Sequence, residues 1–187
     1  LQRGLSIEDK LGTNPFQFGL IGSSDAHTGL SAVDDANFFG KSAPAEPSAV
    51  RFMNKQATYN WQMNAAGLAA VWAKDNTRAE IFNSLSRREV YATTGPRISL
   101  RFFGGYDFYQ DDLDPDSLVA NGYEKGIPMG GELNAKKDAP PSFLFAAMKD
   151  PRGANLDRLQ IVKGWIEKEE MKEKVFNVAW SDERPVD

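Results

Sequence analysis

The sequence predicts an α/β region followed by a β-rich region, with the boundary near residue 95. Three features predict it. Short apolar runs at Phe16 to Ile21 and Ala66 to Ala73 are interleaved with helix-like stretches in the first half. The second half alternates apolar and other residues with period two. The turn Thr94-Gly95-Pro96 separates the two patterns, giving regions 1–94 and 95–187. The chain has 187 residues, 41% hydrophobic and 26% charged, enough apolar material for a buried core and too much for wholesale disorder.

Along the first region, Leu5, Ile7 and Leu11 have helical spacing, and Gly12 with Asn14-Pro15 ends the helix. Phe16 to Ile21 reads as a short strand. It feeds the polar loop Gly22-Ser23-Ser24-Asp25-Ala26-His27-Thr28-Gly29, and the C-terminal end of a strand is where α/β folds place ligands. Residues 31–47 are rich in Gly, Pro and Ala and read as a long loop, expected to form a lid or an interface. Ala66 to Ala73 reads as a buried strand, with helix left open by its alanines. Thr77-Arg78-Ala79-Glu80 matches a capping box and starts a helix with Ile81, Phe82 and Leu85 on one face. In the second region the pattern is all β. Strands are expected at Ile98 to Phe103, Phe143 to Met148, Arg158 to Trp165 and Lys174 to Trp180, the last two flanking a solvated connection at Glu167 to Glu170. Four strands with long links suggest part of a β-sandwich.

Composition narrows the function classes. The 22 Lys and Arg against 26 Asp and Glu give a net charge of −4, and the absence of a basic block argues against nucleic acid as a partner. No apolar run approaches the ~20 residues of a membrane-spanning helix. With no Cys, thiolate chemistry and Cys-based metal sites are excluded, and the single histidine, His27, excludes a His-rich metal cage from this chain alone. The first residue is Leu, so the sequence reads as a piece of a longer protein.

The sharpest candidate for chemistry is Asp25-Ala26-His27. A carboxylate and an imidazole two residues apart on a glycine-flanked loop can both reach one cation, and this donor mixture suits Zn²⁺, Mn²⁺ or Fe²⁺. The same residues could equally be a turn Asp with a hydrogen-bonded His. Ser24 and Thr28 stand close enough in sequence to support the pair, or merely to form the turn. Arg97 and Lys41 could each meet an anionic substrate, or form surface ion pairs. Asp112, Asp114 and Asp116 have the spacing of a calcium loop. Ser117 and Tyr123 at the required Gly and Glu positions exclude an EF-hand and leave a solvated acidic loop or a looser calcium site. The aromatics Phe102, Phe103, Tyr106, Phe108 and Tyr109 fit core packing or a ligand platform.

Three segments, Phe18 to Gly29, Gly67 to Ala73 and Arg87 to Arg97, together with Arg101 to Gly105 and Leu159 to Trp165, resemble the DUF3604 family. That family is similar to the PHP (polymerase and histidinol phosphatase) superfamily of metal-dependent hydrolases. The resemblance implies the C-terminal portion of a distorted (β/α)7 barrel over residues 1–94, followed by a β-sandwich-like accessory region over 95–187. It also implies that Asp25 and His27 match the late Asp-x-His ligand pair, while the early His-x-His pair is absent. The metal centre is then incomplete and the isolated chain is expected to bind metal weakly and to be inactive, its missing N-terminal part supplying the other ligands. The competing expectation is a non-catalytic β-rich binding or interaction module. Under either, exposed strand surface predicts self-association.

Overall fold

The computed structural model describes residues 2–29, 40–42, 49, 53 and 67–181. The expected lid at 31–47 therefore lies outside the described residues except at 40–42, and so does Ala66. The chain forms two compact units, Leu1–Phe18 with Pro151–Asp187, and Gly19–Asp150.

In the first unit, α1 (Gln2–Leu11) packs against a two-stranded antiparallel hairpin of β6 (Arg158–Glu167) and β7 (Glu170–Trp180). The helix stops as its sequence dictates. Gly12 takes φ 73°, a left-handed conformation that costs glycine little, and its N–H donates to the Glu8 carbonyl at 2.7 Å. The hairpin turns through Lys168 and Glu169, both at positive φ (52° and 66°), as a two-residue turn matched to strand twist requires. Glu167 thus pairs with Glu170, so the strands run closer to the turn than their apolar pattern suggests.

The expected strand at Phe16 to Ile21, which runs from the end of the first unit into the second, is not formed. Phe16 to Ile21 is irregular and Phe18, Leu20 and Ile21 are exposed, because no neighbouring strand among the described residues supplies a hydrogen-bond ladder. The chain beyond it runs against the backbone of β1 (Gly67–Val71). A Cβ on Gly67 would overlap the Ser23 carbonyl, and one on Gly22 would overlap that of Leu68. Gly67→Ala is accordingly expected to destabilise the protein by roughly 2 kcal/mol through forced backbone displacement, read as a lowered denaturant midpoint. An unchanged midpoint would refute the close approach.

β1 pairs antiparallel with β2 (Val90–Thr94), from Gly67↔Thr94 to Val71↔Val90. Between them lies α2 (Arg78–Ser86), capped at Thr77, whose Oγ accepts from the Glu80 N–H at 3.3 Å. Only that half of the capping box forms. The Glu80 carboxylate accepts from Asn83, and the Thr77 N–H donates to the Asp75 carbonyl. The expected apolar face is also not the buried one. Phe82 and Leu85 are exposed, while Ser84 is fully buried with its one hydroxyl proton shared between the carbonyls of Trp72 and Glu80, at 2.8 and 2.9 Å.

Beyond residue 95 the chain is not all β. β3 (Ser99–Gly105) is the centre of a three-stranded antiparallel sheet, between β4 (Gly126–Pro128) and β5 (Ser142–Met148). A 3₁₀ turn (Gln110–Leu113) and α3 (Leu118–Lys125) precede β4. The period of two gives the sheet two faces. Phe103 and Leu144, cross-strand partners, bury with Leu118 of α3, and Phe108 packs against them. The helix approaches this closely because Gly122 leaves room for the Phe103 ring. On the other face Phe102 stacks with Phe143 and Phe145 at centroid distances of 5.4 and 6.5 Å. Most of the aromatic cluster is thus packing.

The acidic run is structural too. Asp112 is buried, accepting from Lys125 Nζ at 2.6 Å and from the Tyr109 N–H at 2.8 Å. Asp114 accepts from the Asp116 N–H. These carboxylates organise the entry to α3, and no group of three metal-ligand side chains gathers among the described residues. The Lys125 ammonium, followed by the Tyr109 amide, holds the Asp112 carboxyl below its ordinary value. Such a group stabilises the fold above the unfolded value of 3.8 and loses that effect as pH falls through the folded value. Asp112→Asn should therefore lower stability at pH 7 and flatten the loss of stability in acid, measured by urea unfolding across pH. An identical acid limb in both proteins would contradict the pairing.

The architecture is mixed α and β, with small antiparallel sheets, and among the described residues no sheet closes into a barrel. No described helix is long and apolar enough to cross a membrane.

Candidate functional site

Asp25, His27, Lys41 and Ser24 come together. The backbone does the placing. The His27 N–H donates to the Lys41 carbonyl at 2.6 Å and His27 forms a parallel bridge with Ser42, fixing the 40–42 segment alongside the loop. Within the loop, Ser23 Oγ accepts from the Asp25 N–H at 3.0 Å and Ser24 Oγ from the Ala26 N–H at 3.4 Å. These serine turns hold Asp25 at φ 51°, a left-handed conformation that Asp tolerates better than most residues.

The side chains converge on the Asp25 carboxylate. Its Oδ1 lies 3.0 Å from His27 Nε2, and its Oδ2 lies 3.1 Å from Lys41 Nζ, which also donates to the Ser24 carbonyl at 2.8 Å. Lys41 is largely covered, whereas the side chains of His27 and Asp25 are 67% and 71% exposed. Hydrogen bonds from Lys41 first and His27 second lower the Asp25 pKa, so the carboxylate is ionised well into the acid range.

A tetrahedral cation with bonds of about 2.1 Å to oxygen and nitrogen would hold the two donors about 3.4 Å apart, and an octahedral one about 3.0 Å. The Oδ1 to Nε2 separation is the 3.0 Å of their hydrogen bond, so a cation would replace the proton shared between them. The pair offers one oxygen and one nitrogen donor of the kinds a divalent cation takes. A third protein ligand does not join it among the described residues.

The other expected residues are placed differently. Thr28 is half-buried beside His27. Arg97 lies at the turn between β2 and β3, exposed, with its backbone N–H donating to Asp150 at 2.8 Å.

A second cluster escaped the sequence reading. Glu89, 2% exposed, accepts from Arg87 Nε at 2.8 Å and from the Tyr123 hydroxyl, with Arg101 Nη1 at 3.8 Å. Arg101 donates to the Tyr123 hydroxyl at 3.0 Å, and its guanidinium lies 3.4 Å from the centroid of the Trp72 ring. Arg87 Nη2 reaches the Trp72 carbonyl and Ser84 Oγ. Arg87 and Glu89 were visible as neighbours, but nothing local signals Tyr123, 34 residues further on.

A family model described as "Protein of unknown function (DUF3604)" matches residues 1–187. No curated protein and no solved structure matches the chain. The family match runs through the Asp25 loop and the Glu89 cluster alike, and the chain belongs to the DUF3604 family.

Proposed function

We propose that the chain is part of a PHP-like metal-dependent hydrolase, phosphoesterase-like in its chemistry and inactive in isolation, in which Asp25 and His27 are two ligands of a divalent cation. The observation that carries this reading is the 3.0 Å convergence of an ionised carboxylate oxygen and an imidazole nitrogen, both open to solvent. On this reading residues 1–94 are the C-terminal part of a PHP-like barrel and 95–187 a β-sandwich-like accessory region. The remaining ligands would come from donors outside the described residues.

A cation held there would lower the pKa of its bound water toward ~7 and supply hydroxide near neutral pH. The protein's share is positional. Lys41 and His27 engage different oxygens of Asp25, so Lys41 fixes Oδ2 and leaves Oδ1 turned toward the imidazole. Zn²⁺, Mn²⁺ and Fe²⁺ all suit this oxygen and nitrogen pair. The test is hydrolysis of p-nitrophenyl phosphate by the protein with its remaining ligands present, stripped with chelator and then reloaded with each metal; residues 1–187 alone are expected to be inactive. Activity lost on stripping and restored by one of them is expected. Activity indifferent to chelator would overturn the reading.

A second reading, a non-catalytic binding or interaction module, draws on the exposed Val162, Val175 and Phe176 of the β6–β7 hairpin. It predicts self-association that mutating those residues to Ser abolishes, with no dependence on metal.

A further inference from the structure

We propose that the cleft bounded by Trp72, Lys74, Arg87 and Arg101 is a binding site for a small organic carboxylate. The cleft has a volume of about 540 Å³, the size of a small-molecule site. It does not depend on the metal reading, since neither Asp25 nor His27 lines it.

Charge is the first argument. Lys74, Arg87 and Arg101 line the cleft against one carboxylate, Glu89, which is itself buried and already met by Arg87 and Tyr123. Among the described residues Lys74 forms no ion pair, and positive charge is left over in the cleft.

Geometry is the second. Arg87 uses Nε and Nη2 within the chain, and Arg101 uses Nη1. Arg87 Nη1 and the Nε and Nη2 edge of Arg101 have no partner among the described residues. Trp72 covers one face of the Arg101 guanidinium and Tyr123 holds its Nη1, so the remaining in-plane fork is fixed in orientation. A planar fork with fixed direction matches the two oxygens of a carboxylate. Burial and the hydrogen bond to Glu89 raise the Tyr123 pKa, so the phenol keeps the proton it donates to Glu89 across the neutral range. Glu89 is thereby a positioning residue for both arginines.

The third argument is the wall. Trp72, Ala73 and Pro128 give the cleft an apolar side that a free inorganic anion would not use, but an organic body would.

Calorimetric titration of the protein with benzoate, benzyl alcohol and inorganic phosphate tests the assignment. Saturable benzoate binding is expected, with weaker binding of benzyl alcohol and of phosphate. Arg101→Gln and Arg101→Lys should both weaken benzoate about tenfold, since Lys restores charge without the fork. Lys74→Ala, which removes an exposed side chain, should weaken it roughly threefold at an unchanged thermal midpoint. The Lys74 variant keeps the test decisive should the Arg101 variants fold poorly. Absent benzoate binding, equal affinity in wild type and the Lys74 variant, or tighter binding of benzyl alcohol or phosphate would each overturn the proposal.

Discussion

In the protein with its remaining metal ligands present, Asp25→Ala combined with His27→Ala is expected to abolish metal-dependent hydrolysis and to reduce bound divalent metal to background. The reason is chemical rather than structural. Both side chains are largely exposed, and of the contacts that hold the loop the substitutions remove the Asp25–Lys41 ion pair and leave the backbone and serine contacts in place. Fold stability should fall by only about 1 kcal/mol, since alanine replaces Asp at φ 51° and Lys41 loses its carboxylate partner. Mass-spectrometric metal analysis, hydrolysis assays and urea unfolding on the same preparations separate the effects. Full metal content and activity in the double variant would remove Asp25 and His27 from the chemistry.

The second large effect belongs to Glu89. Glu89→Ala strands Arg87 and Arg101 beside a cavity and removes the acceptor of the Tyr123 hydroxyl. Deleting one partner of a buried ion pair costs about 3 to 5 kcal/mol, enough to threaten a domain of ordinary stability. Tyr123→Phe removes only one hydrogen bond and should cost about 1 kcal/mol. Chemical denaturation of the two variants checks the ratio. A Glu89→Ala protein as stable as wild type would mean that the network contributes nothing to holding β2, β3 and α3 together.

Local chemistry was legible in the sequence where it acts over a few residues. Gly12 ends α1, Thr77 caps α2, and the alternation around Phe103 sets β3, because each depends on neighbours along the chain. Partnership across distance was not legible. Phe16 to Ile21 has strand composition, yet a strand needs a ladder that composition does not supply. Leu118 and Gly122 mark a helix only once Phe103 is known to lie beneath them, which is why α3 went unread. The α2 face was misassigned because Ser84 buries against the Trp72 carbonyl, a partner 12 residues away, while Phe82 stays exposed.

The candidate site divides in the same way. Asp25 and His27 stand two residues apart, so their meeting was visible from spacing alone. Lys41 appeared only as a cation in a long loop. Its ion pair with Asp25 follows from the bridge between His27 and Ser42, a pairing that spacing does not announce. Glu89, Arg101 and Tyr123 are scattered over a strand start, a strand interior and a helix, and only the antiparallel packing of those elements unites them.

The most direct measurement is anomalous X-ray diffraction from crystals of the zinc-loaded protein, collected on both sides of the zinc edge. The metal-centre reading predicts a peak about 2.1 Å from both Asp25 Oδ1 and His27 Nε2. A peak confined to other side chains, or the Lys41 ammonium still facing an Asp25 carboxylate with no metal beside it at saturating zinc, would contradict it.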